Sequence, residues 1–198
     1  MAKRRGQSRT EKKSQPGRLR IVAGKWRSRL LPVADAQGLR PTSERIRETL
    51  FNWLAPRIEG ARCLDLFAGT GALGLEALSR GASSVVFVER SDVACENLRS
   101  SIRLLGADGA TLLQRDALQY LASHDLPKFD VVFLDPPFAD NATSELCRLL
   151  NQSGCLARDA RVYIEQDRAS DPAALPDGWQ VTHDKTAGNV RYSLVVAG

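Results

Sequence analysis

Little in this chain of 198 residues could hold a metal ion or a disulfide framework. It has two histidines, which stand alone, and four cysteines (Cys63, Cys95, Cys147, Cys155) that never approach C-x-x-C spacing. Zinc sites and disulfide scaffolds need those ligands close together, so both are excluded, and reduced thiols in a cytoplasmic protein are expected. No apolar run approaches the roughly 20 residues that cross a bilayer. The charged N-terminus lacks the apolar segment of a signal peptide, so export is not expected. No Walker lysine and no His-Asp-Ser grouping appears either.

What is present is an uneven charge. Residues 1–47 carry 14 Lys/Arg against 3 acids, a net of +11, while the remainder carries 14 against 20, a net of −6. An acidic body with a basic front end points to a polyanion contacted through the N-terminal segment. Residues 1–17 are nearly free of apolar side chains and read as a disordered basic tail. In "RLRIVAGKWRSRLLPV" (18–33), two apolar segments flank Gly24-Lys25 as in a short hairpin. There Arg18, Arg20, Lys25, Arg27 and Arg29 alternate with Leu19, Ile21 and Trp26, which suits a nucleic-acid backbone on one face, with Trp26 better placed in the core.

Pro41-Thr42 opens a helix with Thr42 as N-cap and Glu44 in the first turn. Ile46, Leu50, Trp53 and Leu54 recur at helical spacing up to Pro56, while Arg40, Arg45 and Arg47 gather near the start. From residue 61 strand-like runs (62–67, 84–89, 110–114, 129–134, 160–165) alternate with helical ones (71–80, 92–105, 117–123, 142–151). That rhythm specifies an α/β fold with a parallel sheet covered on both faces. The C-terminal stretch breaks it, reading as two strands joined by a Gly-containing turn. The expected organisation is a basic tail (1–17), a hairpin-and-helix extension (18–60) and an α/β domain (61–198).

Chemistry concentrates in two motifs. In "DLFAGTGALG" (65–74), Gly69, Gly71 and Gly74 satisfy G-x-G-x-x-G, a strand-to-helix turn that a ligand can approach closely. Alone it fits NAD as well as other adenosine cofactors. Asp65 adds information, because a carboxylate in the apolar run Cys63–Phe67 costs several kcal/mol to bury unpaired. Dehydrogenases keep that position apolar, whereas an acid there suits S-adenosylmethionine (SAM); a structural loop cap is the other role open to it. Glu89, ending the second strand, suits ribose hydroxyls of either cofactor. Asp116 is placed either to accept from an adenine amine or to cap the helix that follows at Ala117.

The second motif is Asp135-Pro136-Pro137-Phe138, after the apolar strand "FDVVFLD". Residues before proline are driven to extended conformations, so carbonyls and the carboxylate face outward at a strand's carboxyl end. A carboxylate and a carbonyl converging on an exocyclic NH2 would orient the nitrogen lone pair toward a methyl donor, with the aromatic ring stacked on a flat base. Methylation at pyrimidine C5 is excluded, since it needs a cysteine nucleophile, often in Pro-Cys, and none of the nine prolines precedes Cys.

Together, "DLFAGTGALGLEALSRGA", "DPPF", "RPTSERIRETLFNWL" and "RIVAGKWRSRLLPV" resemble the bacterial 16S ribosomal RNA guanine-N2 methyltransferase family RsmD over roughly residues 18–196. The resemblance implies a Rossmann-like, seven-stranded SAM-dependent methyltransferase fold with an antiparallel final hairpin and a small N-terminal extension. It implies methylation of a guanine N2 (nucleotide 966 in the family) during small-subunit maturation. It further implies that Asp65, Phe67, Ala68, Gly69 and Gly71 surround the methionine part of SAM, Glu89 its ribose, and Asp116 with Ala117 its adenine. Arg40 and the helix start at Thr42 are expected near the SAM carboxylate, and no metal is expected. A monomer acting on 16S rRNA in the small subunit or its assembly intermediate is the anticipated state. The alternatives are a DNA adenine-N6 or cytosine-N4 methyltransferase, an NAD-binding oxidoreductase and a non-catalytic rRNA-binding assembly factor.

Overall fold

The computed structural model describes residues 17–33, 42–137 and 142–198. Arg40, Phe138 and the tail up to residue 16 lie outside them. Two short strands come first, β1 (Arg18–Arg20) and β2 (Leu30–Pro32), paired antiparallel with Leu19 opposite Leu31. Helix α1 (Glu44–Ile58) follows, burying Ile46, Leu50, Leu54 and Ile58 at i, i+4 spacing together with Phe51. Its N-cap is Ser43 rather than Thr42: the Ser43 hydroxyl accepts from the Ile46 amide at 3.3 Å. Tertiary structure decides between two adjacent hydroxyls here, because the Thr42 side chain is drawn elsewhere. Nor does Pro56 end the helix, which continues to Ile58.

Strands and helices then alternate: β3 (Arg62–Asp65), α2 (Ala72–Ser79), β4 (Ser84–Glu89), α3 (Asp92–Leu105), β5 (Ala110–Gln114), α4 (Ala117–Leu121), β6 (Phe129–Leu134), α5 (Ala142–Gln152) and β7 (Leu156–Asp167). Strands β8 (Gln180–Ala187) and β9 (Val190–Val196) close the chain as a hairpin. The seven-stranded sheet has the order β5-β4-β3-β6-β7-β9-β8, parallel from β5 to β7 and antiparallel at β9 and β8. β3 is shorter than the 62–67 run expected. β7 is longer than 160–165, starting at Leu156 opposite Phe129 and shifting register across a bulge before Val131 pairs with Arg161.

Two apolar layers cover the sheet. One joins α1, α2, α3 and the N-terminal pair to Cys63, Val131, Phe133 and Tyr163; the other joins α4 and α5 to Leu64, Val132, Leu134 and Val162. Each fully buried Leu or Phe contributes about 1.5–3 kcal/mol, so this alternation along the strands fixes their register. Leu19, Ile21, Trp26, Leu31 and Val33 belong to the first layer, so the N-terminal pair shares its core with the sheet. All four cysteines are buried free thiols.

Candidate functional site

Strand order reverses between β3 and β6, and ligands of open α/β sheets bind outside the carboxyl ends of the strands at such a switch point. Asp65 ends β3 and Asp135 follows β6, so the two motifs singled out in the sequence flank one crevice. Between β3 and α2 the glycine loop is held by its own protein. The Gly69 amide donates to Glu89 Oε2 at 2.8 Å, and Glu89 Oε1 accepts from the Ser91 amide at 2.7 Å. Gly71 caps α2 at φ +77°, and a Cβ there would meet Leu98 Cδ1 at 2.4 Å. Gly74 packs α2 on β4, where a Cβ would lie 2.2 Å from Phe87 Cε1. These glycines are required by packing before any ligand arrives.

Asp65 is buried, and its Oδ2 accepts from the Gly74 amide at 3.0 Å, the third helical position of α2. The loop-capping role open to it is therefore realised. Burial pushes its carboxyl up to about 7, with the Gly74 N–H opposing and the Glu89 charge adding. Asp116 also caps: its Oδ1 accepts from the Leu118 and Gln119 amides at 2.9 and 3.2 Å, starting α4 beside the buried Ala117. That helix ends at Leu121, shorter than 117–123. Phe67 is half-buried and Ala68 buried, with the Ala68 amide bonded to the Val88 carbonyl at 3.0 Å.

On the other side of the switch point Asp135 is half-buried, Pro136 buried and Pro137 exposed. Thr42 Oγ1 donates to Asp135 Oδ2 at 3.3 Å, which is why Ser43 and not Thr42 caps α1. Burial holds the Asp135 carboxyl well above the usual carboxylate range, the Glu165 and Asp65 charges raise it further, and the Thr42 hydroxyl opposes. A cavity of about 240 Å³ opens beside it, lined by Pro136, Pro137, Thr143, Ser144, Glu165 and Gln166 among others. The conformational signal of D-P-P thus ends in a concave space rather than on a flat surface.

The N-terminal pair divides as its alternation implies. Arg18, Arg20, Lys25, Arg27 and Arg29 are exposed, and Leu19, Ile21 and Trp26 are buried. Arg20 pairs with Glu44 at 3.3 Å, and Arg29 Nη2 donates to the Leu104 carbonyl at 3.2 Å, tying the face to α1 and α3. One buried hub belongs to neither motif. Glu76, wholly buried in α2, accepts from the Val22 and Ala23 amides at 2.8 and 2.9 Å, from Arg47 Nη1 at 3.1 Å and from Arg80 Nε at 2.7 Å. Arg47 is therefore not a surface residue at the helix start: it is 1% exposed, its Nε donates to the Thr42 carbonyl at 3.2 Å, and desolvation lowers its pKa. The signal in the sequence is a charged residue inside the otherwise apolar "ALGLEALS", the same anomaly that marks Asp65. Among the described residues no cluster of His, Cys, Asp and Glu could hold a metal, and no helix is long and apolar enough to cross a membrane.

Known proteins share this architecture. A family model described as Conserved hypothetical protein 95 matches residues 19–196. The ribosomal RNA small subunit methyltransferase D of Escherichia coli is 44% identical over 91% of each chain, and that of Haemophilus influenzae is 42% identical over 90% of this chain and 93% of its own. A solved structure called putative methyltransferase yhhF, from Escherichia coli, superposes with a TM-score of 0.85 at 40% identity, covering 91% of this chain and 98% of that one. A putative methyltransferase complexed with SAH, 16% identical, shares the fold at a TM-score of 0.71, matched over 99% of this chain and 58% of its own. With the family model spanning nearly the whole chain and relatives above 40% identity along nine-tenths of it, this chain belongs to the RsmD family of ribosomal RNA small subunit methyltransferases.

Proposed function

We propose that the chain transfers a methyl group from SAM to the exocyclic N2 of a guanine in 16S rRNA, within the small ribosomal subunit or its assembly intermediate, and acts as a cytoplasmic monomer. The observation that carries this reading is the placement of Asp65 and Asp135-Pro136 at the carboxyl ends of the two strands that flank the switch point, with Pro136 lining a cavity of about 240 Å³. Carboxylates at the ends of three adjacent strands fit the cofactor's donors. Asp65 and the loop of Phe67, Ala68, Gly69 and Gly71 would hold its methionine part, Glu89 its ribose hydroxyls, and Asp116 with Ala117 its adenine. Arg40 is assigned to the SAM carboxylate. Thr42 orients Asp135 through the 3.3 Å hydrogen bond rather than capping α1 toward that carboxylate.

When bound, SAM supplies an electrophilic methyl group on a sulfonium. The chain supplies position. Asp135 and the Pro136 carbonyl each accept one N–H of the target amine, which turns its lone pair toward the donor and stabilises the positive charge that develops, and the methylated nitrogen then gives up one proton to Asp135 or to water. Pro137 stiffens the turn, and Phe138 is assigned to stack on the extruded base. Arg18, Arg20, Lys25, Arg27 and Arg29 contact rRNA phosphates. Incubating small subunits that lack the modification with tritiated SAM, then mapping the label, tests the reading. Label on guanine N2 is expected, and label on a different atom or none at all would overturn it.

A further inference from the structure

The cavity beside Asp135 contains an acid that the reaction as described leaves unused. The β6–β7 register runs from Val131 opposite Arg161 to Leu134 opposite Ile164, so the next pair along it is Asp135 and Glu165. Both lie two residues beyond Phe133 and Tyr163, which share one apolar layer, so the carboxylates stand on the same face of the sheet. Glu165 is only 5% exposed, and Tyr163 Oη donates to its Oε2 at 2.7 Å. Its Oε1 accepts from no donor among the described residues, and Glu165 is one of the residues lining the cavity, with Pro136. Two other polar groups of that lining are already committed. Gln166 donates to the Asp171 carbonyl at 2.8 Å and accepts from the Ala173 amide at 3.2 Å, and Ser144 Oγ accepts from the Ala174 amide at 2.9 Å. Among the described residues no buried side-chain oxygen lacks a partner, so Oε1, without a donor of its own, keeps its access to the crevice and is open to a ligand N–H.

We infer that Glu165 accepts the N1–H of the target base and thereby selects guanine over adenine and cytosine. This rests on the guanine-N2 reading above. Guanine alone of the amino-bearing bases places a ring N–H next to its amine; adenine N1 and cytosine N3 are lone pairs that would face the carboxylate. With the amine on Asp135 and the Pro136 carbonyl, Glu165, the next register partner of Asp135 on the adjacent strand, is the acid available to take the neighbouring ring N–H. The cavity of about 240 Å³ lies below the roughly 300–1,000 Å³ of drug-sized sites and suits one flat ring. Tyr163 acts as a positioning residue, since its hydroxyl fixes which carboxylate oxygen turns to the ligand.

The test compares methyl transfer to small subunits reconstituted with guanine or with 2-aminopurine at the methylated position. 2-Aminopurine keeps the N2 amine and lacks N1–H. The wild-type chain is expected to prefer guanine by roughly 100-fold or more in kcat/KM. In Glu165→Gln the Tyr163 hydroxyl holds the amide oxygen, so the NH2 faces the ring nitrogen; guanine turnover falls, 2-aminopurine turnover rises, and the preference is lost or inverted. S-adenosylhomocysteine affinity by calorimetry stays within about three-fold in this variant, because the cofactor side of the crevice is untouched. Tyr163→Phe, which keeps the carboxylate but frees it, lowers the preference part of the way, and it decides the matter should Glu165→Gln lose cofactor binding as well. Equal loss on both substrates, or an unchanged preference in the variants, overturns the role of Glu165 while leaving guanine-N2 methylation standing. Absence of wild-type label from guanine N2 removes the underlying reading and this inference together.

Discussion

Glu76→Ala is expected to be among the most damaging single substitutions in the chain, and worse than removing its partner Arg47. Glu76 is 0% exposed and satisfies four donors: two backbone amides of the N-terminal segment and two guanidinium groups. Deleting it strands the Arg47 charge, itself 1% exposed, and an uncompensated buried partner costs about 3–5 kcal/mol. The Val22 and Ala23 amides are half-buried, so water replaces part of their loss and they add less than the ~1–3 kcal/mol of a fully buried group. Against a typical total of about 5–15 kcal/mol, the variant sits near the edge of folding. Arg47→Met leaves Glu76 with Arg80 at 2.7 Å and both amides, so its cost falls at the lower end of the same range, about 3 kcal/mol or less. Pairing Glu76→Leu with Arg47→Met removes both charges and recovers much of the loss in the double variant. Urea unfolding followed by far-UV circular dichroism measures all three, with hydrogen exchange at the Val22 and Ala23 amides as a local readout. A Glu76→Ala cost below that of Arg47→Met would refute the reasoning, because it would mean that the carboxylate is not the hub.

Asp135→Ala is expected to lower kcat by roughly 10²–10³ while S-adenosylhomocysteine affinity holds, by analogy with the loss of one preorganised polar group; near-normal turnover would remove Asp135 from the site. Asp65 carries a pH signature. Its folded pKa of about 7 stands above the ordinary aspartate value of 3.8, so its contribution is complete below the lower value and is lost as pH rises through the upper one. That is roughly 4 kcal/mol across pH 4–7 for a shift of about three units. Asp65→Asn should flatten the stability–pH curve in that window relative to the parent chain, and an unchanged slope contradicts the assignment. Replacing exposed Arg18 and Arg27 by Ala should weaken binding to small subunits and reduce the slope of affinity against salt by about one for each phosphate no longer neutralised. An unaltered salt slope would show that this face does not meet the phosphates.

Local pattern is enough to recover most of the elements. β4, β5, β6 and α3 occupy the runs that alternation and helical spacing assign to them, because each is bounded by Gly, Ser, Asp or a charge pair that local chemistry recognises. What stays hidden depends on partners far away in the chain. Ser43 displaces Thr42 as the cap only because Asp135, 93 residues on, takes the Thr42 hydroxyl. Arg47 goes inward because Glu76 is there, and Glu76 is tolerable because Val22 and Ala23, more than fifty residues back, bring their amides. The early start of β7 lies behind a bulge and the exposed Arg158-Asp159 pair, with Asp159 at φ +55°, so no apolar alternation announces it. At the site, Asp65, Glu89 and Asp135 are legible as acids in apolar surroundings. The intraprotein bonds that orient them are not, and Glu165, equally anomalous in "RVYIEQD", gains its meaning only from the strand register that sets it beside Asp135.

The burial of the four thiols has a consequence for how this protein ages and how it can be watched. Burial pushes the Cys147 thiol up to about 12 and raises those of Cys63, Cys95 and Cys155 as well. The thiolate is the species that reacts with oxidants and alkylating reagents, so the native fold keeps all four chemically silent near neutral pH. Cys63 becomes reactive when the α1 and α2 face opens, and Cys147 and Cys155 when the α4 and α5 face opens. Labelling rates at these sulfurs therefore serve as a built-in clock for the breathing of each side of the sheet.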